Sequence, residues 1–407
     1  MSDFVALLCI GMGTLLVSAA GEEATANGIV PPTLSVAQPA PEAILERGLV
    51  NAGDPLRIQR VFAKAKRGEP VVVGVIGGSI TAGAAASIEE YRWGNRMAAW
   101  WKRTFPESAI TFVNAGIGAT GSDLGACRVK RDLLGHNPDF VVVEYAVNDG
   151  GSPICAETLE GVLRQILSLP TQPGVMLLYT MNDTGQNTQA EHETIARHYG
   201  LPAVSFRDAL WPEVEAKRIA WTDIEADAVH PNDRGHAYCA DLIANVLDRI
   251  LKAMPEGDLP AVAPLSGPKT SEVFRYAGLV TSDSVGLCGW QAQPGHNSFG
   301  PGWTADEPGA TLEIPFEGTL AGLAYHHVKG DVGIVEVRVD EGVPVELDAY
   351  FPQDWGGGYT AFKLIARDLA PGKHILRVRI LEKRHPDSQG HTFNIDSVCV
   401  AGMEEGK

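Results

Sequence analysis

Solid apolar runs alternate with helix-spaced apolar positions through the first 250 residues, and strict two-residue alternation replaces both near the end of the chain. Five solid runs stand out: Val71–Ile76, Ala109–Val113, Asp139–Val147, Val175–Thr180 and Ala203–Phe206. Such runs, rich in β-branched residues, fit strands buried on both faces of a parallel sheet. Between them the pattern predicts helical pieces over 42–68 (Ile44, Leu45, Leu49, Leu56, Ile58, Val61, Phe62, Ala65) and a helix through Tyr91–Trp101. Further helices carry Leu124 and Val129, then 157–169, then 190–199. Asn232-Asp233 predicts the start of a last helix ending near Leu251. Strands alternating with helices predict a parallel sheet covered on both faces. The carboxyl ends of its strands share one edge, where open α/β sheets bind their ligands. Ser79, the glycine-rich loop 116–122, Asn148 and the loop carrying Asp227 and His230 all fall at such ends or before the last helix.

Prolines at 255, 260, 264 and 268 mark a linker over 255–268. Beyond it Val335–Asp340 and Ile375–Ile380 alternate strictly, with turns at Asp340-Glu341-Gly342 and Ala370–Lys373. Short alternating strands with frequent turns predict an antiparallel β-sandwich or jelly roll over 269–403. At the other end, Phe4–Ala20 is apolar and closes in small residues, resembling a secretory signal peptide cleaved near Val17-Ser18-Ala19, although no basic residue precedes it and Asp3 is acidic. The competing reading is a membrane anchor. The expected organisation is a signal over 1–20, a flexible segment over 21–41, an α/β domain over 42–254, the linker and the sandwich. The mature protein is then secreted or periplasmic and holds no membrane segment.

Charge narrows the partners. Fifty acidic against 33 basic residues leave a formal charge of −17, which argues against nucleic acid, since phosphate binding needs a basic face. Cys127, Cys155, Cys239, Cys288 and Cys399 form no C-x-x-C pair, so a zinc site is not indicated. They read as buried thiols, with a Cys288–Cys399 bridge as the pairing weighed against that.

The chemistry starts at Gly77-Gly78-Ser79, where the first solid run stops. The glycines allow a sharp turn, and the serine follows as a nucleophile. By itself this reads equally well as a plain turn. A serine needs a base, and His230, three residues after Asp227, offers an imidazole and an orienting carboxylate on one loop. An oxyanion needs donors, and the Ser79 N–H, an N–H from loop 116–122 and the Asn148 amide are available. The Gly-rich loop has no Lys and no phosphate-binding spacing. Asp149 reads as a loop-positioning residue or a turn; His136, His192, His198 and His236 read as surface or core. The aromatics of Tyr91–Trp101 read mostly as core, with Arg92 and Trp93 weighed instead as lining a pocket; Arg92, Trp93 and Gly121 are the candidate substrate contacts. His326-His327 reach substrate only if the sandwich roofs the sheet edge, and Trp355–Tyr359 reads as a surface turn or a sugar-stacking loop.

Four blocks in order resemble the SGNH (GDSL-type) hydrolase family: Gly77-Gly78-Ser79-Ile80-Thr81, Asn114–Gly118, Val147-Asn148-Asp149 and Asp227-Ala228-Val229-His230-Pro231. Gly-Ser-Ile replaces the family's Asp-Ser-Leu, and Ala146 stands where many members carry glycine. The resemblance covers roughly residues 70–250. It implies a flavodoxin-like three-layer α/β/α sandwich, a Ser79–His230–Asp227 triad, and an oxyanion hole from Ser79, a loop residue and Asn148. Gly118 is the first choice for the loop donor; Ala119 and Gly121 fit other alignments. No metal or cofactor is implied. The expected activity is serine esterase, favouring O-acetyl groups on a carbohydrate polymer. The rivals are a lipase, thioesterase or arylesterase with the same machinery, and a non-catalytic carbohydrate-binding protein.

Overall fold

The computed structural model describes residues 40–150, 152–284, 289–296, 299–353 and 358–402. Its first unit runs α1 (Glu42–Gly48), β1 (Leu49–Asn51), α2 (Leu56–Lys66), β2 (Val71–Gly77), α3 (Ser79–Ala82), α4 (Trp93–Thr104), β3 (Ile110–Gly116), α5 (Ser122–Asp132), β4 (Phe140–Glu144) and α6 (Cys155–Leu167). It continues through β5 (Gly174–Tyr179), α7 (Gln189–His198), β6 (Ala203–Ser205), α8 (Phe206–Glu215), α9 (Trp221–Ile224) and α10 (Asp233–Lys252). The strand order is β1-β6-β5-β4-β2-β3. The pairs β6-β5, β5-β4, β4-β2 and β2-β3 are parallel. Every residue of β4 and β5 is buried, as their solid apolar runs require. One apolar core lies under α1, α2, α4 and α10, and a second lies under α5, α6 and α7.

Three elements depart from the expected pattern. Leu49–Asn51 is not helical but an edge strand, pairing antiparallel with β6 through Leu49↔Val204 and Asn51↔Ala203. Three residues between two helices are too few to break a helical apolar spacing. The sequence also hid α8 and α9. Helix α8 contains Pro212, which cannot donate to the carbonyl of Asp208. Arg47 meets the freed group instead, its Nε donating to the carbonyls of Asp208 and Ala209 at 3.1 Å. The side chain of Ser205 caps the helix by accepting from the Asp208 N–H.

The second unit is all β: β7 (Gly278–Val280), β8 (Gln291–Gln293), β9 (Gly302–Ala305), β10 (Thr311–Gly318), β11 (Leu320–His327), β12 (Ile334–Val339), β13 (Val345–Asp348), β14 (Tyr359–Ala366), β15 (Gly372–Ile380) and β16 (Phe393–Ala401). One sheet has the order β10-β15-β12-β13; the other has β14-β11-β16-β9-β8, with β7 also on β16. All of these pairs are antiparallel. The two sheets close on a core that includes Trp303, Leu323, Val337, Val378 and Ile395.

Strand β11 explains how the units join. Ala321, Leu323 and Tyr325 face the sandwich core, while Leu320 and Ala324 face the core under α5 and α6. A strand buried on both faces has no solvent side, and seven of its eight residues are buried accordingly. Phe274 and Phe299 enter the same shared core. Polar bolts surround it. Glu160 on α6, wholly buried, accepts the N–H groups of Lys269 and Thr270, and Arg164 donates to the Ser266 carbonyl at 2.8 Å. The described contacts of the sandwich thus lie along the α5–α6 flank. Cys399 is a free buried thiol beside Cys127 in this core; Cys288 lies outside the described residues.

Candidate active site

The turn after β2 has no room for side chains. A Cβ on Gly77 would sit 2.2 Å from Thr81 Oγ1 and 2.3 Å from the Glu144 carbonyl oxygen; one on Gly78 would sit 2.1 Å from Asn148 Oδ1. Backbone therefore demands glycine at 77, while at 78 a side chain would displace the Asn148 amide. Gly78 has φ −86°, which alanine also adopts. Ser79 then opens α3. Several bonds fix this short helix: Trp93 Nε1 donates to Ile80 O at 3.2 Å, Asn114 Nδ2 to Thr81 O at 2.9 Å, and Thr81 Oγ1 to Glu144 Oε2 at 3.0 Å. Burial pushes the Glu144 carboxyl up to about 7, against hydrogen bonds from Thr180 and Thr81. His236 receives the Trp93 N–H on Nδ1 and bonds Ala84 O through Nε2 at 3.0 Å. Burial pushes its imidazole down to about 4, so it stays neutral.

The candidate base comes from the loop before α10. Glu225 and Pro231 bridge as a short antiparallel pair, and the Ala226 N–H donates to His230 O. His230 Nε2 lies 2.8 Å from Ser79 Oγ, and its Nδ1 lies 2.7 Å from Asp227 Oδ2. Asp227 Oδ1 accepts the N–H groups of Val229 and His230, each at 2.8 Å. Burial alone would raise the Asp227 carboxyl; the bond from His230 and these two N–H groups outweigh it and hold the acid below its ordinary value. The carboxylate is thus ionised, oriented, and placed to fix the tautomer with a bare Nε2 toward the serine.

Two of the expected donor segments lie against the serine turn. A Cβ on Gly118 would lie 3.9 Å from Ser79 Cβ, with nothing nearer. A Cβ on Gly121 would instead meet Asp149 and Asp123, and Ala119 occupies the left-handed region at φ 56°. Of the three loop residues, Gly118 is the one shown against the serine. Asn148 lies against Gly78 with Oδ1 buried and unpartnered.

The other expected contacts sort differently. Trp93 is 0% exposed in the core, so it has no surface to offer a substrate; this corrects its expected place in a pocket. Its phase explains why, because Trp93, Met97, Trp100 and Trp101 form one buried helical stripe. Arg92 is half-buried and packs on Gly83, whose φ is +96°. Gly121 stands beside Asp149 at the start of α5. His326 stacks on His296 with ring centroids 3.6 Å apart, and His296 bonds Asp396. Residues 354–357 of the aromatic loop lie outside the described residues. Among the described residues no group of three or more His, Cys, Asp or Glu side chains could hold a metal ion, and no helix is long and apolar enough to cross a membrane.

Sequence reading missed a supporting layer. Arg128, wholly buried, donates to the carbonyls of Gly77 (3.0 Å) and Ala115 (2.6 Å) and to Tyr145 Oη. It ties the strand ends before the serine and before the glycine loop. Glu225 is buried with both carboxyl oxygens unpartnered among protein atoms; burial, then Asp227, pushes it up to about 9. A second histidine–carboxylate pair joins His192 Nε2 to Asp149 Oδ2 at 2.9 Å. The only signal for the last was a histidine on the buried face of α7, beside Ile195 and Ala196.

With this geometry in view, comparison with known proteins decides the family. The model of the GDSL-like Lipase/Acylhydrolase family matches residues 75–238. The crystal structure of a two-domain esterase (CEX) active on acetylated mannans is 32% identical, covers 88% of this chain and 99% of its own, and superposes with a TM-score of 0.81. The same esterase co-crystallised with mannopentaose gives 33% identity, 89% and 99% coverage, and the same score. The chain belongs to the SGNH (GDSL-type) hydrolase family. Its likeness to CEX spans both units, so the fused β-sandwich is part of the match. A curated relative, thioesterase 1/protease 1/lysophospholipase L1 of Escherichia coli (strain K12), is 26% identical over 185 residues, which is 44% of this chain and 83% of that protein. General esterase or hydrolase activity goes with this membership.

Proposed function

We propose that the protein is an exported serine esterase that removes O-acetyl groups from a carbohydrate polymer. The observation that carries this reading is the continuous relay from Asp227 through His230 to Ser79 Oγ, with hydrogen-bond distances of 2.7 and 2.8 Å. Ser79 attacks the ester carbonyl while His230 Nε2 takes its proton. The negative charge that develops on the carbonyl oxygen meets the Ser79 N–H, the Gly118 N–H and Asn148 Nδ2. His230 returns the proton to the departing sugar alkoxide, leaving an acetyl-serine. A water, deprotonated by the same histidine, then releases acetate. Asp227 stays ionised throughout and stabilises the imidazolium. No step calls for a metal or cofactor.

Support for the substrate class comes from CEX, an esterase active on acetylated mannans, whose likeness runs through the sandwich as well as the α/β unit. Arg92 and Gly121 remain the proposed contacts for the sugar. The proposed boundaries are a catalytic domain over 42–254, a linker over 255–268 and a sandwich over 269–403, preceded by a signal over 1–20 and a flexible segment over 21–41. Residues 1–39 lie outside the described residues, so export rests on the apolar stretch Phe4–Ala20 alone.

The test is acetate release and mass loss from acetylated mannan, alongside nitrophenyl esters of increasing chain length. Wild type should remove acetyl groups and prefer the acetyl ester. Ser79→Ala should reduce both activities by roughly 10⁴-fold or more. A preference for chains of eight carbons or more would favour the acyl-hydrolase chemistry of the Escherichia coli relative and sink the acetyl-sugar reading.

A further inference from the structure

We propose that Asp149 and His192 are positioning residues that hold the oxyanion hole together from behind. The inference rests on the serine-esterase reading above. Two of the three proposed donors, Gly118 N–H and Asn148 Nδ2, come from segments that follow different strands. Neither segment is covalently near the other, yet both donors must meet one oxygen atom. Asp149 is the side chain that joins them. It follows Asn148 directly and is 2% exposed. Its Oδ1 accepts the Ser122 N–H at 2.7 Å, four residues past Gly118. Gly121 makes this approach feasible, because a Cβ there would sit 2.7 Å from the same oxygen.

The other carboxyl oxygen takes Nε2–H of His192 at 2.9 Å, and that histidine is 1% exposed. Helix α7 carries His192 and is itself tied to the Asn148 turn. At its start the Thr188 N–H and Oγ1 donate to Ala146 O at 2.9 and 2.8 Å, and the Asp149 N–H donates to Tyr145 O at 3.0 Å. One carboxylate therefore transmits the position of α7 and of the 145–149 turn to the loop that ends at Ser122. With both oxygens satisfied, the buried acid has a single orientation. Without His192, Oδ2 would be buried without its donor, which costs a buried carboxyl dearly and favours its rotation.

The pair is not a second catalytic dyad. The nearest hydroxyl to His192 Nε2 is Thr188 Oγ1 at 3.4 Å, and that hydroxyl gives its proton to Ala146 O. His230, by contrast, lies 2.8 Å from a serine hydroxyl, that of Ser79.

The experiment measures kcat and KM on 4-nitrophenyl acetate for the full chain, per active site titrated with a nitrophenyl organophosphate. Displacing an oxyanion donor by about 1 Å costs on the order of 10²-fold. Asp149→Ala should therefore lose roughly 100-fold in kcat with KM changed less than about threefold. His192→Ala should lose about tenfold, and His192→Gln, which restores an N–H donor, should recover most of that. In an Asn148→Ala background the cost of Asp149→Ala should shrink to the share carried by the Gly118 loop, roughly tenfold, since the two act through one hole. A purely structural pair would lower the melting temperature yet leave kcat per titrated site within twofold, and that result overturns the proposal. So would fully multiplicative losses in the Asn148→Ala background. If Asp149→Ala yields no folded enzyme, the His192→Ala and His192→Gln comparison decides: equal kcat values for the two variants refute the positioning role. Ser79→Ala is run in parallel. If it keeps activity the serine mechanism itself fails; if it is inactive and Asp149→Ala is unimpaired, only this inference falls.

Discussion

Gly78 offers a clean separation between folding and catalysis. An alanine Cβ there would lie 2.1 Å from Asn148 Oδ1 and 2.7 Å from its Cγ. Non-bonded heavy atoms need roughly 3.5 Å, so the amide must retreat by about 1 Å. Asn148 is half-buried at the sheet edge and can swing outward, and φ −86° suits alanine. The stability change should therefore be small, within about 1 kcal/mol, helped by the stiffer unfolded chain. Catalysis should suffer more, because a donor moved by 1 Å is nearly a donor lost: about 10²-fold in kcat, or roughly 3 kcal/mol of transition-state stabilisation. Gly77 is the contrast. Its added Cβ would meet the Glu144 carbonyl oxygen at 2.3 Å, and backbone cannot swing aside, so Gly77→Ala should lose stability first. Urea unfolding and 4-nitrophenyl acetate kinetics on titrated sites measure both quantities. If Gly78→Ala keeps kcat within threefold of wild type, Asn148 is not an oxyanion donor in the manner argued.

Two further outcomes test the surroundings. Glu225, ordinarily near 4.5, is raised to about 9 by burial and then by Asp227. Between those values the folded chain holds a proton the unfolded chain has released, so stability falls as pH rises. Each pH unit costs wild type up to about 1.4 kcal/mol; Glu225→Gln should remove that slope, and parallel stability curves from pH 5 to 9 would contradict it. At the interface between the units, a Cβ on Gly161 would sit 2.3 Å from Phe274 Cβ and 3.0 Å from its backbone. Gly161→Ala should cost about 1–3 kcal/mol in urea unfolding while kcat per titrated site stays unchanged.

What the sequence made legible was whatever has a local pattern. Solid apolar runs mark β2, β4 and β5, and the strand-end rule gathers Ser79 and Asn148 on one edge, with Asp227 and His230 on the loop before the last helix. Contacts that span the chain left no such mark. Arg128 bonds Gly77 across 51 residues, and His192 meets Asp149 across 43; no spacing encodes either. Trp93 was misplaced although its signal was present. Proximity in number to Ser79 suggested a pocket, while the i, i+4, i+7, i+8 phase with Met97, Trp100 and Trp101 already assigned it to the core. Helix α8 was hidden by Pro212, because the residue that compensates it, Arg47, lies 165 positions earlier. The loop donor stayed open for a related reason: Gly118, Ala119 and Gly121 fit equally well by sequence, and nothing local in the chain shows that Gly118 approaches Ser79 while Gly121 approaches Asp149.

The acids around His230 are held in different states, and that difference bears on its role as a base. Asp227 touches the imidazole and is kept ionised by three hydrogen bonds. Glu225, two residues away and buried, is kept protonated well above neutral pH. The two environments do this by opposite means, donors supplied at one carboxyl and withheld at the other. The separation is useful. A second negative charge near the imidazole would favour the imidazolium, and a histidine already protonated cannot take the proton of Ser79. One carboxylate is enough to orient the ring and to balance the charge that appears during attack. On this argument the buried, unpartnered carboxyl of Glu225 is tolerable beside the triad because it is uncharged. Its ionisation near pH 9 should depress stability, a loss that Glu225→Gln abolishes.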